Sequence, residues 1–215
     1  MSKLPKRHFW EWFKRNNKEY LDLNNKSKKE RSYWLHELNA HLRAYYKFFE
    51  YSMALPEKGI ARLTITVNGR AMHFKKVDLF VATAPEIPGW SITALEEPMP
   101  VEFLLEKQMG EAGVDPAEFS FSFDGNDTEL AHVIVYHPLC GDDNAARFLE
   151  LAYGALYNLL GERSFGLDLG HLEVDNLSNA NRDNVYPIDE LPTHIGWRKS
   201  PVVVGPDGTL EGMGK

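Results

Sequence analysis

The chain contains a single cysteine, Cys140, among its 215 residues. This scarcity excludes a disulfide framework within the chain and argues against a cysteine-based zinc site. Long apolar runs are also absent, since no stretch approaches the roughly 18 apolar residues of a membrane-spanning helix. The first residues, MSKLPKRHFWEW, lack the apolar run of a secretory signal peptide. We therefore expect a soluble, cytoplasmic protein that does not associate with membranes.

Familiar catalytic motifs are missing as well. The sequence has no P-loop, no G-x-G-x-x-G, no G-x-S-x-G and no paired C-x-x-C. The segment HELNAH resembles the zinc motif H-E-x-x-H, but its histidines, His36 and His41, are five residues apart. That spacing separates them by about 140° around a helix, so they diverge at its surface. No cofactor is therefore expected.

What the chain does contain is a globular composition with an uneven distribution of charge. Hydrophobic residues make up 43% of it and charged residues 26%, which is enough for a sizeable core. Residues 1–31 hold ten Lys or Arg against four acidic residues, whereas the remainder holds 14 against 27. Such a basic front can attract nucleic acid or an anionic surface, or it can be an ordinary solvated face. The net charge of −7 and the pI near 5.6 count against nucleic acid as a partner.

Two helices are predicted at the start, over residues 7–22 and residues 28–51, where apolar residues recur at helical spacing. Four aromatic residues lie within five positions of the first helix: Phe9, Trp10, Trp12 and Phe13. They could cover an apolar surface of the same chain, stack on nucleic acid bases, or lie in a membrane surface. The first interpretation is favoured, because a two-helix front cannot bury four aromatic residues by itself.

After Gly59 the apolar pattern changes from helical spacing to alternation. Leu63, Ile65 and Val67 alternate with polar residues, which predicts a half-buried strand. Further strands are predicted over GWSITALEE, over a hairpin formed by EFSFSFDG and ELAHVIVYH, and over FGLDLGHLEV. Helices are predicted over HFKKVDLFVATAPE, PVEFLLEKQMGEAG and DDNAARFLELAYGALYNLLG, and partly over PIDELPTHIGW.

This order of elements predicts an α+β fold. We expect a mixed sheet of about five strands with helices packed on it, similar to a ferredoxin-like split βαβ arrangement and preceded by the helix pair. A single domain is expected over residues 1–199, with the helical hairpin inside residues 1–51. Residues 200–215 are expected to form a flexible tail with a short hairpin around residues 206–208.

The segment VATAPEIPGW joins a predicted helix to a predicted strand. Pro85 should end the helix, Pro88 and Gly89 should form a tight turn, and Trp90 should enter the strand. With the opening F-W-x-W-F helix, this segment resembles a bacterial family of uncharacterised proteins that carry an A-P-x-x-P-G-W element. The resemblance implies an α+β domain and a bacterial source, and it supplies no activity and no catalytic residues.

The last predicted strand changes phase at Gly170 and His171. Its apolar positions slip by one residue there, which a β-bulge would produce. Beyond the slip, His171, Glu173 and Asp175 share a polar face, so they could ligate a metal with help from another element or supply a base. A solvated strand face is the plainer interpretation of the same pattern.

A second candidate lies at the strand-to-helix junction YHPLCGDDN. His137 could assist Cys140 as a nucleophile, but Asp142 and Asp143 would oppose thiolate formation, and an Asp here is more simply a helix N-cap. If the two strands are neighbours across a helical crossover, their carboxyl ends meet at one sheet edge. The candidate binding cluster is then His137, Asp142, Asp143, His171 and Glu173, with any metal unspecified.

The favoured hypothesis is a non-enzymatic binding or protein-interaction domain, whose partner is another protein or a second copy of the chain. The sequence favours it because catalytic motifs are missing and aromatic residues are plentiful. One alternative is a small metal-assisted hydrolase centred on His171. The other is nucleic-acid binding through the basic N-terminus, which would require a steep salt dependence.

Overall fold

The computed structural model describes residues 9–100, 114–115, 118–125, 130–199, 202–204 and 210–212. The chain divides into two compact units, Met1–Glu96 and Glu97–Lys215. One domain over residues 1–199 stays a prediction, because two compact units can belong to one domain. Nearly all of the helix predicted over residues 100–113 lies outside the described residues.

The described residues form an α+β fold with five α-helices, as the sequence predicted at the level of fold class. The elements of the first unit are α1 (Phe9–Leu21), α2 (Lys28–Tyr45), β1 (Glu50–Ala54), β2 (Ala61–Thr66), α3 (Phe74–Val81) and β3 (Trp90–Ala94). The elements of the second unit are β4 (Ser120–Phe123), β5 (Ala131–His137), α4 (Ala145–Asp168), β6 (Leu169–Asn176), β7 (Tyr186–Pro187), α5 (Leu191–Lys199), β8 (Val202–Val204) and β9 (Leu210–Gly212). None of the described helices is both long enough and apolar enough to cross a bilayer.

The described strands form two mixed sheets and a separate pair. The first sheet has the order β1-β2-β3, with β1 antiparallel and β3 parallel to β2. The second has the order β6-β5-β4-β7, with only β5 and β6 parallel. The sequence predicted one sheet of about five strands, whereas these strands divide between sheets of three and four. Each sheet lies within one unit. The first sheet gains β1 and the second gains β7, two strands that the apolar pattern did not predict.

Strand β1 replaces the end of the predicted second helix. Helix α2 begins at a capping box, in which Ser27 and Glu30 bond to each other's backbone N–H, and it ends at Tyr45. Tyr46 is already extended, with φ −148° and ψ 123°. The apolar spacing continues to Phe49, so it predicted a helix through residue 51. Antiparallel pairing of β1 with β2 overrides that local pattern.

The aromatic residues of α1 pack into the core of the first unit. Phe9, Trp10 and Phe13 are buried. The Phe13 ring meets the Trp90 ring edge-to-face, with centroids 5.0 Å apart, and the half-buried Trp12 ring stacks on the His41 ring at 3.9 Å. The prediction that this helix covers an apolar surface of its own chain is confirmed.

The predicted helix-to-strand element is also confirmed. Helix α3 ends at Val81, before Pro85, and β3 begins at Trp90. Gly89 has φ +85°, a left-handed conformation that favours glycine. The Trp90 N–H donates to the Ile87 carbonyl at 3.0 Å, which closes the turn. The segment therefore has a structural role in directing β3 alongside β2.

Strand β2 is buried on both faces, although its alternation predicted a half-buried strand. Leu63 and Ile65 face the core, and Thr64 and Thr66 on the other face are buried too. The Thr64 and Thr93 hydroxyls hydrogen-bond across β2 and β3 at 2.9 Å. The central position of β2 accounts for this, because a buried threonine hydroxyl is tolerated when it has a partner.

Helix α4 consists of two helical stretches that meet at Gly161. Gly161 has φ 68° and ψ 161°, outside the helical region, so the first stretch ends there as the sequence predicts. The chain then returns to helix through Asp168, so β6 begins at Leu169 rather than near Phe165, which is buried in the core instead. In the tail, β8 and β9 pair antiparallel as the predicted hairpin requires. The turn of that hairpin, and the rest of the predicted flexible tail, lie outside the described residues.

Candidate functional site

The buried end of β5 holds His137, whose side chain is 1% exposed. Its ring lies between the rings of Phe119 and Phe148, at centroid distances of 4.8 and 4.9 Å. Nδ1 accepts a hydrogen bond from the Leu139 N–H at 3.1 Å, so the neutral ring carries its proton on Nε2. Burial lowers the pKa of His137, and the nearby Glu118 and Asp115 oppose this shift only in part.

The loop after β5 does not form a reactive thiol centre. Cys140 is buried, and burial, followed by the charges of Asp175 and Asp142, raises the pKa of its thiol. The predicted opposition of Asp142 to thiolate formation is therefore confirmed. Asp142 and Asp143 are exposed. The N-cap of α4 is Asn144 rather than an Asp.

Asn144 fixes this loop through its side-chain amide. Its Oδ1 accepts from the Gly141 N–H at 2.8 Å, and its Nδ2 donates to the Leu139 carbonyl at 2.9 Å. The single Asn therefore closes the turn between β5 and α4. The same side chain makes no capping hydrogen bond to α4.

The predicted β-bulge is present in β6. Ala131 is opposite Leu169, and His132 is opposite His171, so Gly170 is the extra residue. Beyond the bulge the exposed His171 and Glu173 share a face, with His171 Nε2 3.0 Å from Glu173 Oε1. The His132 ring lies near that of His171, at a centroid distance of 6.0 Å.

The predicted cluster therefore divides between the two ends of the strand pair. His137 is opposite Asn176, whereas His171 is opposite His132, five residues earlier. At about 3.3 Å per residue, the two sites lie about 16 Å apart along the strands. The charged groups that act on His137 are Glu118 and Asp115, not Asp142 or Asp143. Within the described part of the chain, no three His, Cys, Asp or Glu residues are placed to hold a metal ion.

A groove of about 470 Å³ lies near the carboxyl ends of β5 and β6, with Asn176 and Arg182 in its lining. The Asn176 Nδ2 donates to the carbonyls of Pro138 and Cys140, at 2.9 and 2.6 Å. This amide is thus engaged in holding the two strand ends together. Among the described residues that line this groove, Arg182 alone is charged.

A larger groove, of about 670 Å³, lies within the first unit, between α1, α3 and the end of α2. We call it the aromatic groove, and its apolar lining consists of Phe9, Trp10, Tyr45, Tyr46, Leu79 and Phe80. Lys76 and Thr83 also line the groove. Leu79 is 62% exposed. The groove thus combines an apolar wall that water reaches with the ammonium group of Lys76.

The floor of the aromatic groove is held by one indole. Trp10 stacks on Phe80 at a centroid distance of 4.7 Å, and its Nε1–H is shared between the Phe80 carbonyl and Thr83 Oγ1, each 3.2 Å away. The Thr83 hydroxyl itself donates to the Phe80 carbonyl at 2.7 Å. These bonds fix the ring of Trp10 on α3, so the groove is a preformed feature of the unit.

Three cationic side chains, Lys47, Arg70 and Lys76, lie over aromatic rings next to the aromatic groove, and we call them the basic rim. Lys76 Nζ is 4.1 Å from the Tyr46 ring centroid. Lys47 Nζ and Arg70 Cζ are 4.7 and 5.6 Å from the Phe48 ring centroid. None of the three forms a salt bridge with another residue that the structure describes.

His73 joins the two aromatic residues beneath the basic rim. Its ring stacks on Phe48 at a centroid distance of 4.6 Å and 14°, and its Nδ1 lies 3.0 Å from the Tyr46 hydroxyl. Sequence reasoning missed this site, because Tyr45, Tyr46 and Phe48 were assigned to a continuous helix. The signal that could have found it is the aromatic run YYKFF, followed by the basic residues of the segment before and within α3.

No family model, no curated protein and no solved structure matches this chain. Membership of the bacterial family with the F-W-x-W-F helix therefore stays a prediction. The assignment of a function rests on the geometry of the grooves and the placement of the candidate residues.

Proposed function

We propose that this protein is a non-enzymatic binding protein that docks a partner protein in the aromatic groove. The observation that carries the proposal is Leu79, which lies in the wall of a 670 Å³ groove and yet is 62% exposed. Pockets of about 300–1,000 Å³ with apolar walls and a few polar groups are typical of ligand sites. An exposed apolar wall of this kind is stabilised when a partner covers it.

A protein partner fits the groove better than a substrate does. Among the described residues the groove offers mainly apolar rings and the Lys76 ammonium, and it contains no carboxylate and no histidine. Metal-assisted hydrolysis around His171 has less support, because only Glu173 accompanies it closely and both side chains are exposed. A second copy of the chain is the other candidate partner. We also propose a cytoplasmic location, which the single buried, free cysteine supports.

Selection of short random peptides displayed on phage against the full-length protein tests the proposal. Selected peptides, synthesised and titrated by fluorescence anisotropy, should bind the wild-type protein. Leu79→Asp should weaken that binding by more than about tenfold, because it places a charge in the apolar wall. Leu139→Asp is the matched control, since Leu139 is 59% exposed in the second unit, and it should leave binding unchanged.

The proposal fails if no selected peptide binds, or if binding is indifferent to Leu79→Asp. Analytical ultracentrifugation of the wild-type and Leu79→Asp proteins separates the two partners. An oligomer that dissociates in the variant would identify the second copy as the occupant, whereas a monomer in both cases leaves the groove for another protein.

A further inference from the structure

The basic rim gives the aromatic groove a local charge opposite to that of the whole chain. The chain carries a net charge of −7, but Lys47, Arg70 and Lys76 converge on the rings of Tyr46 and Phe48. The nearby carboxylate of Glu50 is engaged by Arg43. A cation held over an aromatic face is attracted to that face but is not neutralised by it. The rim therefore presents positive charge that no salt bridge among the described residues compensates, next to an apolar groove.

The aromatic rings of this region are not free to stack on nucleic acid bases. One face of Phe48 is occupied by the His73 ring, and cations lie over the ring as well. Trp10 and Phe80 stack on each other at 4.7 Å. Base-stacking platforms require ring faces that remain open to successive bases. The rings here form an apolar wall, so the occupant inserts a side chain rather than a base.

From these observations we propose that the docking segment of the partner is acidic: an apolar side chain inserts into the aromatic groove against Leu79, and flanking carboxylates contact Lys76 and Arg70. This inference rests on the proposed function and specifies the chemistry of its partner. Opposite charges at the rim of an interface steer association and fix the register of the bound segment. The carboxylates also complete the salt bridges that the basic rim lacks within the described residues.

The peptides recovered by phage selection test this inference through their composition and their sensitivity to charge. Among peptides that require Leu79, Asp and Glu should be enriched beside an apolar residue. Their affinity should fall as salt is raised, and Lys76→Glu should weaken them by about tenfold or more. Lys28→Glu is the matched control, since Lys28 lies at the other end of α2, about 25 Å from Tyr45.

Three results would overturn the inference. Leu79-dependent peptides without acidic residues, or with affinities indifferent to Lys76→Glu, would leave the proposed function intact and remove the acidic partner. Binding of fluorescein-labelled oligo(dT), lost in Lys76→Glu, in the absence of any acidic peptide would assign the rim to nucleic acid. Failure to recover any Leu79-dependent peptide would remove the proposed function, and this inference with it.

Discussion

Gly170 lies against the imidazole of His132 at the point where the register of β5 and β6 shifts. A Cβ added to Gly170 would lie 2.8 Å from the Leu130 Cβ and 3.0 Å from the His132 ring. The bulge therefore depends on a residue without a side chain, because the Leu130 Cβ is anchored to the backbone. As the extra residue of the bulge, Gly170 shifts the register by one, and this shift places His171 and Glu173 on the polar face of β6.

Gly170→Ala should therefore lower the free energy of unfolding by about 1–3 kcal/mol, the usual cost of overpacking. Urea denaturation followed by circular dichroism measures this change. Gly141→Ala is the control, because a Cβ there would meet nothing within 4 Å. Equal stability of the two variants would show that the bulge tolerates a side chain.

Truncation of Phe13 in α1 should be costly. It is fully buried, and its ring contacts those of Trp90 and Tyr20 at centroid distances of 5.0 and 5.6 Å. Phe13→Ala should lower the free energy of unfolding by about 3–5 kcal/mol, because it removes apolar contacts and leaves a cavity. Met72→Ala, at an 86% exposed position, should change it by less than about 0.5 kcal/mol. Similar unfolding midpoints for both variants would contradict the burial of α1.

Cys140 should react slowly with iodoacetamide in the folded protein. The thiol is buried, and its pKa is raised by burial first and by Asp175 and Asp142 next, so little thiolate forms near neutral pH. Mass spectrometry after timed labelling, with and without urea, compares the two states. If the native protein were labelled as fast as the protein in urea, the thiol would be accessible and reactive, and Cys140 would again be a candidate nucleophile.

Local patterns predicted those parts of the fold that depend on neighbours in the chain. The phase slip at Gly170 predicted the bulge, because a half-buried strand must keep its apolar residues on one face. The crowding of aromatic residues in α1 predicted that it packs on its own chain. The prolines and glycine before Trp90 predicted the turn into β3.

What could not be predicted depends on strand pairing between distant residues. Strand β1 follows an apolar helical pattern, and only its pairing with β2 makes it a strand. The candidate cluster assumed that His171 lies near the carboxyl end of β6, whereas the register places it opposite His132, near the other end. The aromatic groove is formed by three elements that are separated in the chain, so the pattern of any one segment could not predict it.

Acid should destabilise the protein partly through His137. The pKa of this histidine is lowered by burial, so the ring stays neutral in the folded protein at pH values where the unfolded chain binds a proton. Because the unfolded state then holds more protons, the stability from this group is complete above about pH 6.5 and declines as the pH falls below that value. His41, whose pKa burial also lowers, adds a second contribution of the same sign.

His137→Asn removes the titrating ring and keeps an acceptor near the Leu139 N–H. Urea unfolding at a series of pH values between about 7.5 and 5 should therefore show a shallower decline in stability for this variant than for the wild-type protein. Met72→Ala provides the control, because it removes no titratable group at an 86% exposed position and should leave the slope unchanged. If the wild-type slope persists in His137→Asn, the buried imidazole binds its proton as readily in the fold as in the unfolded chain. Glu118, whose Oε2 lies 3.4 Å from Nε2, would then be the group that offsets the burial.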